Sequence, residues 1–171
     1  MKKNILLWQF SGFAVASLLG TLFHFLYEWT GKNKVVAIFS GIDESTWQHM
    51  KLLYFPLLIF AVIQSFYFKN YKNYWCVKMI GFIIGLSLIP IIYYTYNGIF
   101  GKSPDWINIA IFFVSAAATF AIEALLFIKR KPDCKYKWFA ICLIILFGIL
   151  FVVFTFSPPD IPIFEPPKKM T

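Results

Sequence analysis

Two histidines and a few carboxylates, set among long apolar runs, are the residues of this chain that could do chemistry. His24 and Glu28 are one helical turn apart, a spacing that puts both on one helix face. Asp43, Glu44, Ser45, His49 and Lys51 follow after a short interruption, and Asp105 and Asp160 stand at later breaks. Two imidazoles with one or two carboxylates could bind Zn²⁺ or another divalent metal and leave a position open for an activated water. Without a metal, a His-carboxylate pair could accept or relay a proton. The HExxH pattern of zinc metalloproteases is absent. The candidate metal ligands are therefore His24 and His49 with Glu28 or Glu44, and the candidate catalytic groups are Glu28, Glu44 and Ser45.

Plainer roles compete with these. Asp43 can cap a helix that opens at Thr46, where acidic residues favour the helix dipole. Ser103-Pro104-Asp105 likewise reads as a helix opening with Pro near the first helical position. Lys51 can pair with Glu44 or reach outward along its helix. Lys78 and Glu123 should sit at similar depth as a structural ion pair, with a proton or ion path as the other reading.

The elements that position these residues are legible from composition. Of the 171 residues, 60% are hydrophobic and only 14% charged, against about 25% charged in soluble domains. At roughly 20 apolar residues per crossing, the apolar runs predict an all-α integral membrane protein. It is a single transmembrane domain over 1–171, a bundle of five transmembrane helices over about 5–29, 46–68, 75–96, 106–128 and 138–156. Ala14-Val15-Ala16 mimics a signal-peptide cleavage site, but the apolar run continues well past it, which makes it a span. Pro56 and Pro90 fall inside spans and each should kink its helix.

Lys2, Lys3, Lys69, Lys72, Lys78, Lys129, Arg130, Lys131, Lys135 and Lys137 gather at one end of the spans. The positive-inside rule then places the N-terminus in the cytoplasm and the protein in the plasma membrane as a multi-pass chain. Both histidines and six of the eight acidic residues fall at the other, outer end. The +8 net charge is spread between apolar runs rather than over one solvated face, so topology accounts for it and no nucleic-acid partner is expected. The lipid bilayer is the expected partner, and a homo-oligomer or a membrane complex is compatible with the pattern.

Lys34 to Gly41 is apolar but too short to cross, and should lie in the outer interface. The C-terminal tail over 157–171 is Pro-rich, which predicts an extended or polyproline arm outside and no helix. Cys76, Cys134 and Cys142 have no paired spacing; they read as inert packing, the first two near the reducing cytoplasm. Gly12, Ala16 and Gly20, then Gly81 and Gly85, then Ser115 to Thr119 are small-residue stripes that allow close helix packing within the bundle. Tight loops after the second, third and fourth spans predict antiparallel neighbours.

The segments His24-Phe25-Leu26-Tyr27-Glu28-Trp29 (HxxYEW) and Glu44-Ser45-Thr46-Trp47-Gln48-His49-Met50-Lys51 (ESxWxHxK) bear on kinship, as do Tyr93 to Gly98 and Pro158 to Pro162. With these segments, nearly the whole chain resembles a domain-of-unknown-function family of small bacterial membrane proteins. That family usually has Glu where this chain has Gln48. The resemblance implies the architecture and the outer polar cluster, and carries no activity.

The expected site is an outward-facing pocket of His24, Glu28, Glu44, Ser45 and His49, rimmed by Tyr93, Tyr94, Tyr96, Trp106 and the tail. Three function classes fit it. One is a membrane enzyme performing metal-assisted hydrolysis of an outer-leaflet lipid or envelope precursor. A second is a small-molecule or ion transporter, or its substrate-binding subunit. The third is a structural or accessory scaffold whose polar cluster only ties helices together.

Overall fold

The computed structural model describes residues 2–129 and 133–167. Arg130 and Lys131, counted above with the basic end, and the last four residues of the tail lie outside that range. Five helices are present: α1 (Lys2–Trp29), α2 (Thr46–Tyr67), α3 (Tyr74–Phe100), α4 (Asp105–Ile128) and α5 (Lys137–Phe156). Two 3₁₀ turns, Val36–Ile38 and Pro162–Phe164, complete the fold, and no strand occurs among the described residues. All five helices are long and apolar enough to cross a membrane. The shortest has 20 residues, which at 1.5 Å per residue matches a hydrocarbon core of about 30 Å.

Their ends follow local chemistry. Ser45, and not Asp43, is the N-cap of α2: its hydroxyl accepts from Gln48 N–H at 3.3 Å, while Asp43 Oδ1 accepts from Ser45 N–H at 2.8 Å. The shorter side chain reaches the helix amides directly, and the aspartate holds the capping residue. At α4 Pro104 occupies the cap position itself and Asp105 opens the first turn. α3 continues to Phe100, past the expected Tyr96, and stops at Gly101, whose φ of 82° is readily reached only by glycine. Pro56 and Pro90 lie inside helices that run on through them.

α2 packs against each of the other four helices, and α1, α4, α3 and α5 stand side by side around it. The glycine stripes make this possible. A Cβ on Gly12 would collide with the Phe120 and Phe60 rings, one on Gly20 with Phe112, one on Gly81 with Glu123 and one on Gly85 with Thr119. The small residues therefore serve packing inside the bundle. Short loops do make α2 and α3, and then α3 and α4, neighbours. α5 departs from the expected pattern and lies on α3 and α2. Tyr54 donates to the Ile144 carbonyl at 2.8 Å, and its ring lies against Gly148, so the one backbone passes close to the other helix.

Two expectations are corrected here. Cys76 and Cys134, separated by 58 residues, form a disulfide instead of packing as inert thiols, with Cα atoms 5.8 Å apart. Their spacing carries no sign of it; the passage of α5 across α3 brings the preceding loop back to the start of α3. The tail is not wholly extended, because Pro162–Phe164 forms a turn that sets Phe164 against Trp47 and Phe154, with ring centroids 4.7 and 5.4 Å apart. Packing that one aromatic ring against two others offsets the local preference for an open arm.

In the half of the bundle nearest the lysine-rich end, Lys78 donates to Glu123 at 2.6 Å with both side chains buried. The Phe60, Tyr74 and Phe120 rings stand 5.5–5.7 Å from the ammonium. Removing one partner leaves an uncompensated charge, which costs about 3–5 kcal/mol, whereas an apolar pair of similar volume is often neutral. In detergent, Lys78→Met and Glu123→Leu should each lower the thermal unfolding midpoint sharply, and the double variant should recover most of the loss. Additive losses in the double variant would contradict a coupled pair.

Candidate functional site

At the end of the bundle away from those lysines, His24, Glu44 and His49 converge. Their ligand-capable atoms all lie within 4.8 Å of one another. Both Nε2 atoms approach Glu44, His24 at 3.6 Å from Oε1 and His49 at 3.6 Å from Oε2. The imidazole centroids are 6.0 Å apart.

Three local features place these groups. Gly20, one turn before His24, lets α1 approach α2 until a Cβ there would stand 3.2 Å from the Leu52 carbonyl oxygen. Ser45 caps α2, so Glu44 lies just outside the helix and His49 one turn inside it. Ser40 fixes the end of α1: its hydroxyl donates to the Phe23 carbonyl and accepts from Tyr27 N–H at 3.0 Å. Those two backbone groups would bond each other in an undisturbed helix, so Ser40 inserts into the ladder beside His24.

The 3.6 Å separations are too long for hydrogen bonds. A tetrahedral ion with ligand bonds of about 2.0–2.2 Å sets its donors roughly 3.4 Å apart. Because 62% of the Glu44 side chain is exposed, a plain ion pair with either histidine would add at most about 1 kcal/mol to stability. The orientation of His49 is also fixed. Its Nδ1 stands 2.9 Å from the Ser45 carbonyl, an acceptor only, so Nδ1 carries a proton and Nε2 is the nitrogen that faces Glu44.

Three spaces adjoin the cluster. A cavity of about 480 Å³ is lined by His24, Glu44 and His49 with Tyr93, Lys102, Ser103, Asp105, Asn108, Ile109 and Pro167. A pocket of about 20 Å³ lies beside Glu44, Thr46, His49, Tyr93 and Asn108, which is room for one water with polar partners. An apolar groove of about 210 Å³ runs between α1 and α4, floored by His49 and Leu52.

The other candidate residues fall elsewhere. Glu28 lies one turn beyond His24, exposed and 4.0 Å from Lys32, and lines none of these spaces. Ser45 is buried and occupied as the cap. Lys51 neither pairs with Glu44 nor reaches outward; it is fully buried and donates to Ala37 O at 2.9 Å and Thr155 Oγ1 at 2.8 Å, tying the first 3₁₀ turn to α5. Lys78 and Glu123 belong to the other half of the bundle. Of the expected rim residues, Tyr93 lines the large cavity and the tail contributes Pro167.

Sequence reasoning passed over Asn108, which lines all three spaces, because a single Asn one turn into a helix carries no distinguishing signal. It also read Asp105 mainly as part of a helix opening. Their placement depends on the α3–α4 turn, where Asn97 Oδ1 accepts from Ser103 N–H at 2.6 Å and Ser103 Oγ lies 2.8 Å from Asn108 Oδ1.

The family of unknown function DUF6512 matches residues 1–169, and the chain belongs to it. No curated protein and no solved structure matches the chain.

Proposed function

We propose that this member of a family of unknown function is a membrane-embedded, metal-dependent hydrolase whose centre is His24, His49 and Glu44. The convergence of the three donors within 4.8 Å, each histidine 3.6 Å from Glu44 and His49 oriented by the Ser45 carbonyl, carries the reading. Two imidazoles and a carboxylate are a donor set that zinc takes in catalytic sites with one position open, where it lowers the pKa of a bound water to about 7. The water-sized pocket beside Glu44 and His49 supports a nucleophile at that position. Asp105 lines the large cavity with the three donors and would serve as the general base in this reading. Glu28 and Ser45 drop out of the chemistry in this reading, one paired with Lys32 and the other committed to the cap.

The same reading sets the site at the outer face of the plasma membrane, because the lysine-rich end goes to the cytoplasm. The Cys76–Cys134 bond lies at that lysine-rich end and pulls the other way, since cytosolic thiols are kept reduced. Ten basic residues at that end outweigh one bond in setting the orientation.

Two measurements test these statements. Protein purified without a polyhistidine tag should hold about one equivalent of zinc by elemental mass spectrometry. His24→Ala and His49→Ala should each lose it while keeping the thermal midpoint. A metal-free wild type, even after reconstitution, would leave a proton relay or a structural cluster. For orientation, a membrane-permeant maleimide added to intact cells before lysis should label Cys76 and Cys134. If both stay protected until a reductant is added, the histidine end faces the cytoplasm instead.

A further inference from the structure

The lysine-rich end of the bundle holds a separate open space, which does not depend on a metal among the histidines. It measures about 480 Å³, and the exposed Lys69, Lys72 and Lys137 line it together with the buried rings of Phe68 and Tyr74. None of its described lining residues is a carboxylate. We propose that this hollow binds a phosphate monoester group, the chemistry shared by a phosphatidic-acid headgroup and a small soluble ester.

Backbone turns and packed rings build the hollow. Where α2 ends, Phe68 N–H donates to the Gln64 carbonyl at 3.0 Å, Tyr71 N–H to Phe68 at 2.9 Å and Tyr74 N–H to Tyr71 at 3.0 Å. These consecutive turns carry Lys69 and Lys72 and stack Tyr71 on Phe68, with ring centroids 4.8 Å apart. The Tyr74 hydroxyl is committed to the Ala61 carbonyl, which holds that ring in place. Lys137 arrives from a distant part of the chain as the first residue of α5. The Cys76–Cys134 bond ties the segment before it to the first turn of α3.

The charges at the hollow select a doubly charged ligand. Lys72 stands 3.4 Å from Asp133, which sets one ammonium against one carboxylate. Among the described residues Lys69 has no ion pair, and Lys137 lies 5.6 Å over the Trp138 ring with no carboxylate beside it. Two positive charges are therefore left over. The neighbouring segment 130–132 is Arg-Lys-Pro and brings no carboxylate of its own. α3 and α5 both begin beside the hollow without a side-chain cap, and helix N-termini add partial positive charge. A phosphate monoester carries about −1.5 to −2 near pH 7 and three acceptor oxygens, so it answers both ammoniums at once. A phosphodiester or a carboxylate has one charge and leaves the second ammonium unanswered. Basic hollows between spanning helices at the cytoplasmic side take phosphate headgroups on the same grounds.

The test is isothermal titration calorimetry on the full chain in an uncharged detergent. The probes are dioctanoyl phosphatidic acid, dioctanoyl phosphatidylglycerol as the diester, and glycerol 3-phosphate as the soluble monoester. Phosphatidic acid should bind at one site per chain, about tenfold more tightly than phosphatidylglycerol. Lys69→Gln and Lys137→Gln should each weaken that binding about tenfold. Both residues are exposed, so folding should survive, checked by helical circular dichroism. Lys2→Gln and Lys135→Gln change lysines of the same end that do not line the hollow, and should leave the affinity unchanged. Glycerol 3-phosphate binding as tightly as the lipid, with the same losses at Lys69 and Lys137, would support the site and assign it to a soluble ester. Binding of the lipid alone would support it and assign it to a membrane headgroup. Equal affinity for the monoester and diester lipids would overturn the proposal. So would equal losses in the Lys2 and Lys135 variants, which would reduce this end to diffuse positive charge, and so would the absence of binding by every probe.

Discussion

The hydrocarbon core of a membrane supplies no hydrogen bonds, so a polar side chain inside this bundle gains most by bonding another part of the bundle. That constraint organises the structure around α2. Tyr54 reaches the Ile144 carbonyl on α5, Tyr74 of α3 donates to the Ala61 carbonyl of α2 at 2.6 Å, and Lys51 holds both Ala37 and Thr155. Lys78 and Glu123 answer each other between α3 and α4. In each case a polar group on one helix is spent on another helix or loop, which fixes neighbours that apolar packing alone leaves interchangeable. His24, Glu44 and His49 face one another at 3.6 Å, outside hydrogen-bond range, next to open space.

Close approach of backbones then converts this scaffold into a site. Gly12 and Gly20 let α1 settle against α2 and α4, which carries His24 across to the first turn of α2. The α2 cap does the rest: one serine hydroxyl stops the helix between Glu44 and Thr46, and the same residue's carbonyl orients His49. A site on two helix ends and one cap is held more rigidly than one on a free loop. The apolar groove is the residue of the same packing, left where α1 and α4 part around Gly20 and Phe112.

Much of this was legible in the sequence, for physical reasons. Long apolar runs can do little else than cross a membrane, so the five helices, the glycine seams and the gathering of His and Glu at one end of the bundle followed from composition and spacing. What escaped was set by tertiary geometry. The i,i+4 spacing of His24 and Glu28 put both on one face, yet Glu28 sits a turn too far out and pairs with Lys32. Lys51 looked like a snorkelling residue and is instead a buried tie, because a 3₁₀ turn 14 residues earlier offers its carbonyl. The disulfide between Cys76 and Cys134 depends on where α5 crosses, which no local pattern encodes. Asn108 and Asp105 acquire their places only when the α3–α4 turn closes over the histidines.

X-ray absorption at the zinc edge of the tag-free, zinc-loaded protein is the most direct measurement of the central claim. The account predicts a first shell of nitrogen and oxygen at about 2.0–2.1 Å with the scattering of two imidazole rings. A shell containing sulfur at about 2.3 Å, or one without imidazole, would place the metal elsewhere and contradict it.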